Sequence, residues 1–292
     1  MKRGALFAAL LVAFLFFTFP HELVVERLLL ARLPPDVDVT FSRISPSLRP
    51  LGYRLLDVVV SHDPFRAKLG SLRIGIDWLG TPTFRIEACG GSVDGRLVRG
   101  NSRDGATTRD LTIQLTDVDP SGCLELGGPS IEGRFAGQIT LVDVARGNPR
   151  EALGKLARSG SVTLEGRDGV LSGYLPASRV VKPSGKRREP QPIGRWEFSH
   201  LSVDAEMKTD RITVTRGEAE AEGVAWATKE ASVVLGGPQP PRLQAELMAK
   251  PLEDSARAKA IIGLLPKAAD KDGWRHYRAS GPLSSIQLGG IK

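Results

Sequence analysis

From Asp36 onward, apolar and polar residues alternate with a period of two. Val37, Val39 and Phe41 alternate with Asp38, Thr40 and Ser42, and Leu72, Ile74, Ile76 and Trp78 alternate with Arg73, Gly75 and Asp77. Phe84, Ile86 and Ala88 continue the series, followed by Leu111, Ile113 and Leu115. Ile131, Gly133, Phe135, Gly137, Ile139 and Leu141 then share one face. Ser45-Pro46-Ser47, Gly80-Thr81-Pro82 and Gly90-Gly91 supply turn signals between the runs. Alternation broken by turns about every ten residues predicts a meandering antiparallel sheet with one dry and one wet face. The glycines at 133 and 137, set among apolar residues, mark a bulge or a close approach.

The pattern returns after residue 193, with Trp196 and Phe198, then Leu201, Val203, Ala205 and Met207, then Ile212 and Val214, and later Leu243, Ala245 and Leu247. Glu218 to Glu222 alternates acid with alanine, so the apolar face there is shallow. Only two helix signals beyond the first segment interrupt the strand pattern. Arg150 to Arg158 is helix-compatible, and within Pro251 to Leu265 the residues Leu252, Ala256, Ala260, Ile261 and Leu264 have helical spacing. Two short helices are too few to cover every strand, so the expected fold is all-β, a curled antiparallel sheet resembling a groove or half-barrel. Its apolar wall is expected to include Leu72, Ile74, Ile76, Trp78, Ile113, Leu115, Phe135 and Ile139.

The first twenty residues follow a different rule. Lys2 and Arg3 precede an uncharged run from Gly4 to Phe19 that includes Leu6, Phe7, Leu10, Leu11, Phe14, Leu15, Phe16 and Phe17. A spanning helix needs roughly 20 apolar residues, and this run reaches that length if Pro20 and His21 lie among the headgroups. A cleaved secretory signal is the alternative, but Thr18-Phe19-Pro20-His21-Glu22 offers no small-x-small site. An uncleaved anchor is expected over 1–20, with the N-terminus cytoplasmic and the rest exported. Residues 21–35 read as a short amphipathic helix or linker ended by Pro34-Pro35.

Composition adds little to this picture except in charge. A chain of 292 residues, 41% hydrophobic and 25% charged, is ordinary for a globular body. The net charge of +7 favours anionic lipid headgroups or acidic protein surfaces, with no nucleic acid partner expected outside the cytoplasm. Much of the excess sits in Lys182, Lys186, Arg187 and Arg188, inside a proline-rich loop over 182–192 that separates strand regions 36–181 and 193–292. Cys89 and Cys123 are free to bridge in an oxidising compartment, and geometry decides whether they do. The four histidines have no partner at metal spacing, and neither a GxSxG elbow nor a phosphate loop is present. No catalytic residue, metal or cofactor is expected.

A basic start, one apolar span, a short amphipathic segment and a strand-only body together resemble the type II secretion GspN family. Leu55-Leu56-Asp57-Val58-Val59-Val60, Gly91-Ser92-Val93-Asp94-Gly95-Arg96-Leu97, Ile131-Glu132-Gly133-Arg134-Phe135-Ala136-Gly137 and Asp272-Gly273 to Leu283 carry the likeness. More loosely, the chain is similar to AsmA/TamB-like periplasmic proteins. The GspN resemblance implies a non-enzymatic, single-pass accessory subunit in the bacterial inner membrane. Its main domain would be periplasmic and would meet other secretion or envelope proteins. The AsmA-like resemblance implies a sheet whose dry face shields phospholipid acyl chains.

Overall fold

The computed structural model describes residues 37–62, 65–101, 107–125, 130–144, 159–172, 195–208, 211–234, 242–263, 269–282 and 287–290. The expected anchor over 1–20, the segment 21–35, the helix-compatible stretch 150–158 and the basic loop 182–192 lie outside them.

The described residues build one antiparallel sheet of 16 strands. Its strands are β1 (Asp38–Thr40), β2 (Arg43–Leu48), β3 (Leu51–His62), β4 (Phe65–Ile76), β5 (Pro82–Ala88), β6 (Gly91–Asn101) and β7 (Thr107–Val118). After a 3-10 turn at Pro120–Gly122 come β8 (Leu124–Glu125), β9 (Ser130–Val142), β10 (Ser159–Ser172), β11 (Trp196–Lys208), β12 (Arg211–Ala221), β13 (Val224–Val234) and β14 (Arg242–Pro251). One helix, α1 (Ala256–Gly263), precedes β15 (Arg275–Pro282) and β16 (Gln287–Gly290). Neighbours in sequence are neighbours in the sheet except that β9 pairs with β7, the short β8 adds to β4, and β1 and β2 both pair with β3. The sheet is curled and unclosed. β10 and β11 pair along nearly their whole length, so the strands before and after the 182–192 loop belong to the same sheet.

The alternation of side chains becomes a continuous inner wall because directly paired residues lie on the same face. One row runs Leu55–Leu72–Ile86–Val93–Leu115 across β3 to β7, and a second runs Ile74–Phe84–Gly95–Ile113–Ile139–Val162 across β4 to β10. The opposite face carries Arg54–Arg73–Arg85–Asp94–Gln114–Gln138 in register.

Three aspartates set the curl. Asp57, Asp117 and Asp168 lie within strands at φ 49°, 49° and 48°, in the left-handed region that aspartate tolerates better than most side chains. Asp117 and Asp168 sit where the register of their strands with β9 shifts, which identifies them as bulges. At Asp57 the inner face likewise resumes three residues on, so Leu55 and Val58 are both buried. A bulge bends its strand and deepens the twist. Gly133, at φ 121°, opposes the Asp168 bulge so closely that a Cβ there would press on the Cα of Gly169. Of the two readings of the 133 and 137 glycines, the bulge holds at 133 and close approach at 137, whose missing Cβ would meet Thr163 O.

One expected turn falls elsewhere, and one strand ends earlier than expected. Ser45-Pro46-Ser47 lies inside β2, where proline is tolerated because the strand is at the sheet's edge, and the chain reverses at Arg49-Pro50 instead. β4 ends at Ile76 rather than carrying Trp78, because Asp77 Oδ1 accepts hydrogen bonds from the Leu79 and Thr81 N–H groups at 2.9 and 2.8 Å. That local turn competes with the ladder and ends it.

Candidate functional site

The inner wall is hollow where some of its side chains are small. Ala219 and Ala221 occupy inner positions on β12 and line a cavity of about 690 Å3. Its lining is wholly apolar: Leu115 and Val118 from β7, Phe135 from β9, Leu164 from β10, Trp196, Phe198 and Leu201 from β11, and Trp226 from β13 among others. β7 and β13 are separated by five strand spacings, about 24 Å on a flat sheet. Residues of both line the same space, so the apolar face is the inner side of the curl.

Aromatic rings pave this interior. Phe135 packs over Gly166 and Phe198 over Gly169, each ring filling the place where a Cβ would stand. The ring centres of Phe135 and Phe198 are 6.1 Å apart, those of Trp196 and Trp226 are 6.4 Å apart, and those of Trp226 and Tyr277 are 6.3 Å apart. This chain of aromatics runs from the cavity to the helix.

Helix α1 plugs the wall beyond Trp226. Ala258 and Ile262 are buried against Val224, Ala249 and Tyr277, with Trp226, Leu247 and Ile261 packed around them. The helix starts at Ala256 because Ser255 caps it, its Oγ accepting from the Ala258 N–H at 3.1 Å. Leu252 therefore precedes the helix and is exposed, as is Ala256. Of the face expected from Leu252, Ala256, Ala260, Ile261 and Leu264, Ile261 packs against the wall, Leu252 and Ala256 are exposed, and Leu264 lies outside the described residues. Ala258 and Ile262 supply the buried contacts. Two arginines fasten the plug. Arg257 Nε lies 2.7 Å from Glu222 Oε2 and also donates to the Arg195 carbonyl, while Arg275 donates to the carbonyl of Ile262 in the last turn. Burial drives the Tyr277 hydroxyl pKa up, so it stays neutral at any physiological pH.

The other margin is closed by the link between β7 and β9. Val118 and Pro120 face the cavity, and the chain then crosses beneath the β5–β6 hairpin to reach β4, where Lys68 N–H donates to Cys123 O at 2.8 Å. Cys89 and Cys123 are joined by a disulfide with Cα atoms 5.1 Å apart. Cys89 and Gly90 form the hairpin turn at φ 58° and 72°, the left-handed pair that a two-residue type I′ turn requires.

Of the residues expected on the wall, Leu72, Ile74, Ile113, Leu115, Phe135 and Ile139 share the inner face by register. Leu115 and Phe135 line the cavity. Ile76 stands at the sheet's end, half exposed, and Trp78 is a correction, since it is 95% exposed in the turn beyond the strand. The C-terminal contributors to the cavity, from Leu164 to Trp226, were not singled out from the sequence, although the alternation of Trp196 and Phe198 and the shallow alanines at 219 and 221 carried the signal. The anchor residues Leu6, Phe7, Leu10, Leu11, Phe14, Leu15, Phe16 and Phe17 and the loop cations Lys182, Lys186, Arg187 and Arg188 lie outside the described residues.

The outer face holds polar contacts of another kind. Glu87 accepts from Ser71 Oγ at 2.9 Å and from Arg73 at 3.0 Å, with Arg54 at 3.7 Å. The Ser71 hydrogen bond, against some burial and with the charges of Arg73, Arg54 and Arg85, lowers the Glu87 pKa. Among the described residues no group of histidine, cysteine, aspartate and glutamate is arranged to hold a metal ion, and no helix is long and apolar enough to cross a membrane. No protein-family model, curated protein or solved structure matches the chain.

Proposed function

We propose that the inner wall binds the acyl chains of lipids, in a body held at the bacterial inner membrane by residues 1–20 and lying in the periplasm. The observation that carries this reading is the wholly apolar cavity of about 690 Å3. Concave apolar sites of this size are typical of small-molecule binding, and with no polar group on its walls this one suits hydrocarbon. Its lining comes from six neighbouring strands, β7 and β9 to β13, so the cavity runs across the sheet rather than under a single hairpin. A folded acyl chain suits a hollow of that shape. The aromatic rings and the alanine floor provide contact without hydrogen-bonding demands, consistent with a non-enzymatic, cofactor-free carrier or shield.

Native mass spectrometry of the full chain released from detergent tests this. Bound phospholipid is expected in the wild type and lost in Leu164→Arg. Ala219→Trp, which fills the cavity without adding charge, is expected to lose lipid while keeping or raising the melting temperature. Lipid-free wild type, or lipid retained in Ala219→Trp, contradicts the reading.

A second reading is favoured by the open sheet. Among the described residues its outermost strands have no neighbour on one side, and such an edge can take an added strand, which suits an accessory subunit of a type II secretion machine that docks partner proteins edge to edge. A photo-crosslinking residue at position 45, on the β2 edge, is expected to capture an inner-membrane or secretin component in cells that export folded proteins. Unimpaired export on deletion, with no crosslink, contradicts it.

A further inference from the structure

We infer that the end of the sheet formed by the β2–β3 and β4–β5 turns is a docking tip for an anionic lipid bilayer. Leu48 and Leu51 flank the first turn at 69% and 59% exposure, and Trp78 and Leu79 form the second at 95% and 72%. Ile76, paired with Leu51, is half exposed between them. Single exposed apolar residues are ordinary, but here they gather on adjacent turns at one end of the molecule. The β4–β5 turn is held without using the Trp78 or Leu79 side chains, because the Asp77 carboxylate accepts from the Leu79 and Thr81 N–H groups. Trp78 and Leu79 are thus presented outward by a fixed scaffold.

Cations surround these residues. Arg49 lies in the first turn and is exposed. Arg99 and Arg109 face each other across β6 and β7, and they share a hollow with Leu79 and Pro82. Directly opposed like charges cost stability, and neither arginine has an acidic partner among the described residues. Arg96 has one, Asp77, at 3.7 Å. A tryptophan and aliphatic residues ringed by arginine are what the interfacial layer of a membrane accepts: the ring and the leucines at headgroup depth, the guanidiniums on phosphates.

The tip is not where the leader enters. β1 pairs with the far end of β3, opposite Val59 to Ser61, whereas the tip lies at Leu51. About nine residues of β3 separate the two, roughly 30 Å. The tip also shares no lining residue with the inner cavity.

The test is flotation of the full chain, kept in amphipol, with vesicles of phosphatidylcholine alone or mixed with phosphatidylglycerol. The mixed vesicles are expected to capture the protein. Trp78→Ser combined with Leu79→Ser should reduce capture about tenfold or more at unchanged melting temperature, since both side chains are exposed. Arg99→Gln combined with Arg109→Gln should also reduce it and flatten its dependence on salt. All variants should keep the lipid that copurifies with wild type, which separates this result from the fate of the cavity reading. Capture indifferent to these four substitutions, equal capture by neutral vesicles, or a protein rather than lipid crosslinked through position 78 would overturn the inference.

Discussion

Asp117 shows how one side chain shapes this sheet. At φ 49° it occupies backbone space that β-branched residues avoid, and the register with β9 shifts beside it. Replacing it with glycine should leave stability unchanged or raise it, whereas Asp117→Val should cost about 1–2 kcal/mol in chemical denaturation. A sequence signal for this position existed. Leu-x-Asp-Val occurs at 55–58, 115–118 and 141–144, and in each the aspartate has a positive φ. Period-two reading passes over the repeat because it tracks apolar spacing alone. Glu87 makes a second prediction. Its carboxyl titrates below its ordinary 4.5, chiefly through the Ser71 hydroxyl and then the neighbouring guanidiniums. A lowered folded-state pKa gives stabilisation that is complete above the unfolded value and is lost as pH falls through the folded one. Melting temperatures measured from neutral to acidic pH should therefore decline less steeply below about pH 4.5 in Glu87→Gln than in wild type. Parallel curves would show that the Ser71–Glu87–Arg73 contacts contribute nothing.

At the scale of elements, the strands were the most legible part, because alternation and turn residues act locally. The register that makes Ile74, Ile113 and Ile139 neighbours follows from it. What depended on tertiary packing was harder to read. Helix α1 starts at Ala256 rather than at Pro251, since the Ser255 cap rather than apolar spacing sets its start. Its buried contacts come from Ala258 and Ile262, packed with Val224, Ala249 and Tyr277, and not from Leu252, which is exposed. Ile262→Ala should destabilise by about 2–5 kcal/mol, read by urea unfolding, because the side chain is 5% exposed and closes the end of the wall. The Cys89–Cys123 bridge encloses a segment with a sequence separation of 34, so Cys89→Ser with Cys123→Ser should cost about 2–4 kcal/mol. It should also loosen the crossing that carries Val118 and Pro120 to the cavity.

For the molecule as a whole, the curl decides what the apolar face can do. A flat sheet would expose that face, and a closed barrel of bulky side chains would fill it. Bulges at Asp117 and Asp168 bend it, and the alanines at 219 and 221 leave it hollow. Alternation alone predicted a sheet with one dry side. It could not show that the hollow lies under β7 to β13 rather than under β4 to β6, because that depends on side-chain volume summed across strands distant in sequence. Leu115 and Phe135 were therefore expected on its wall, while Leu164, Trp196 and Leu201, which also line it, were not. The central claim is that this hollow holds lipid, and the most direct measurement is native mass spectrometry of the full chain beside Ala219→Trp. Phospholipid bound to the wild type and absent from a stable Ala219→Trp is the predicted result. Wild type that carries none, or a filled variant that carries as much, would contradict it.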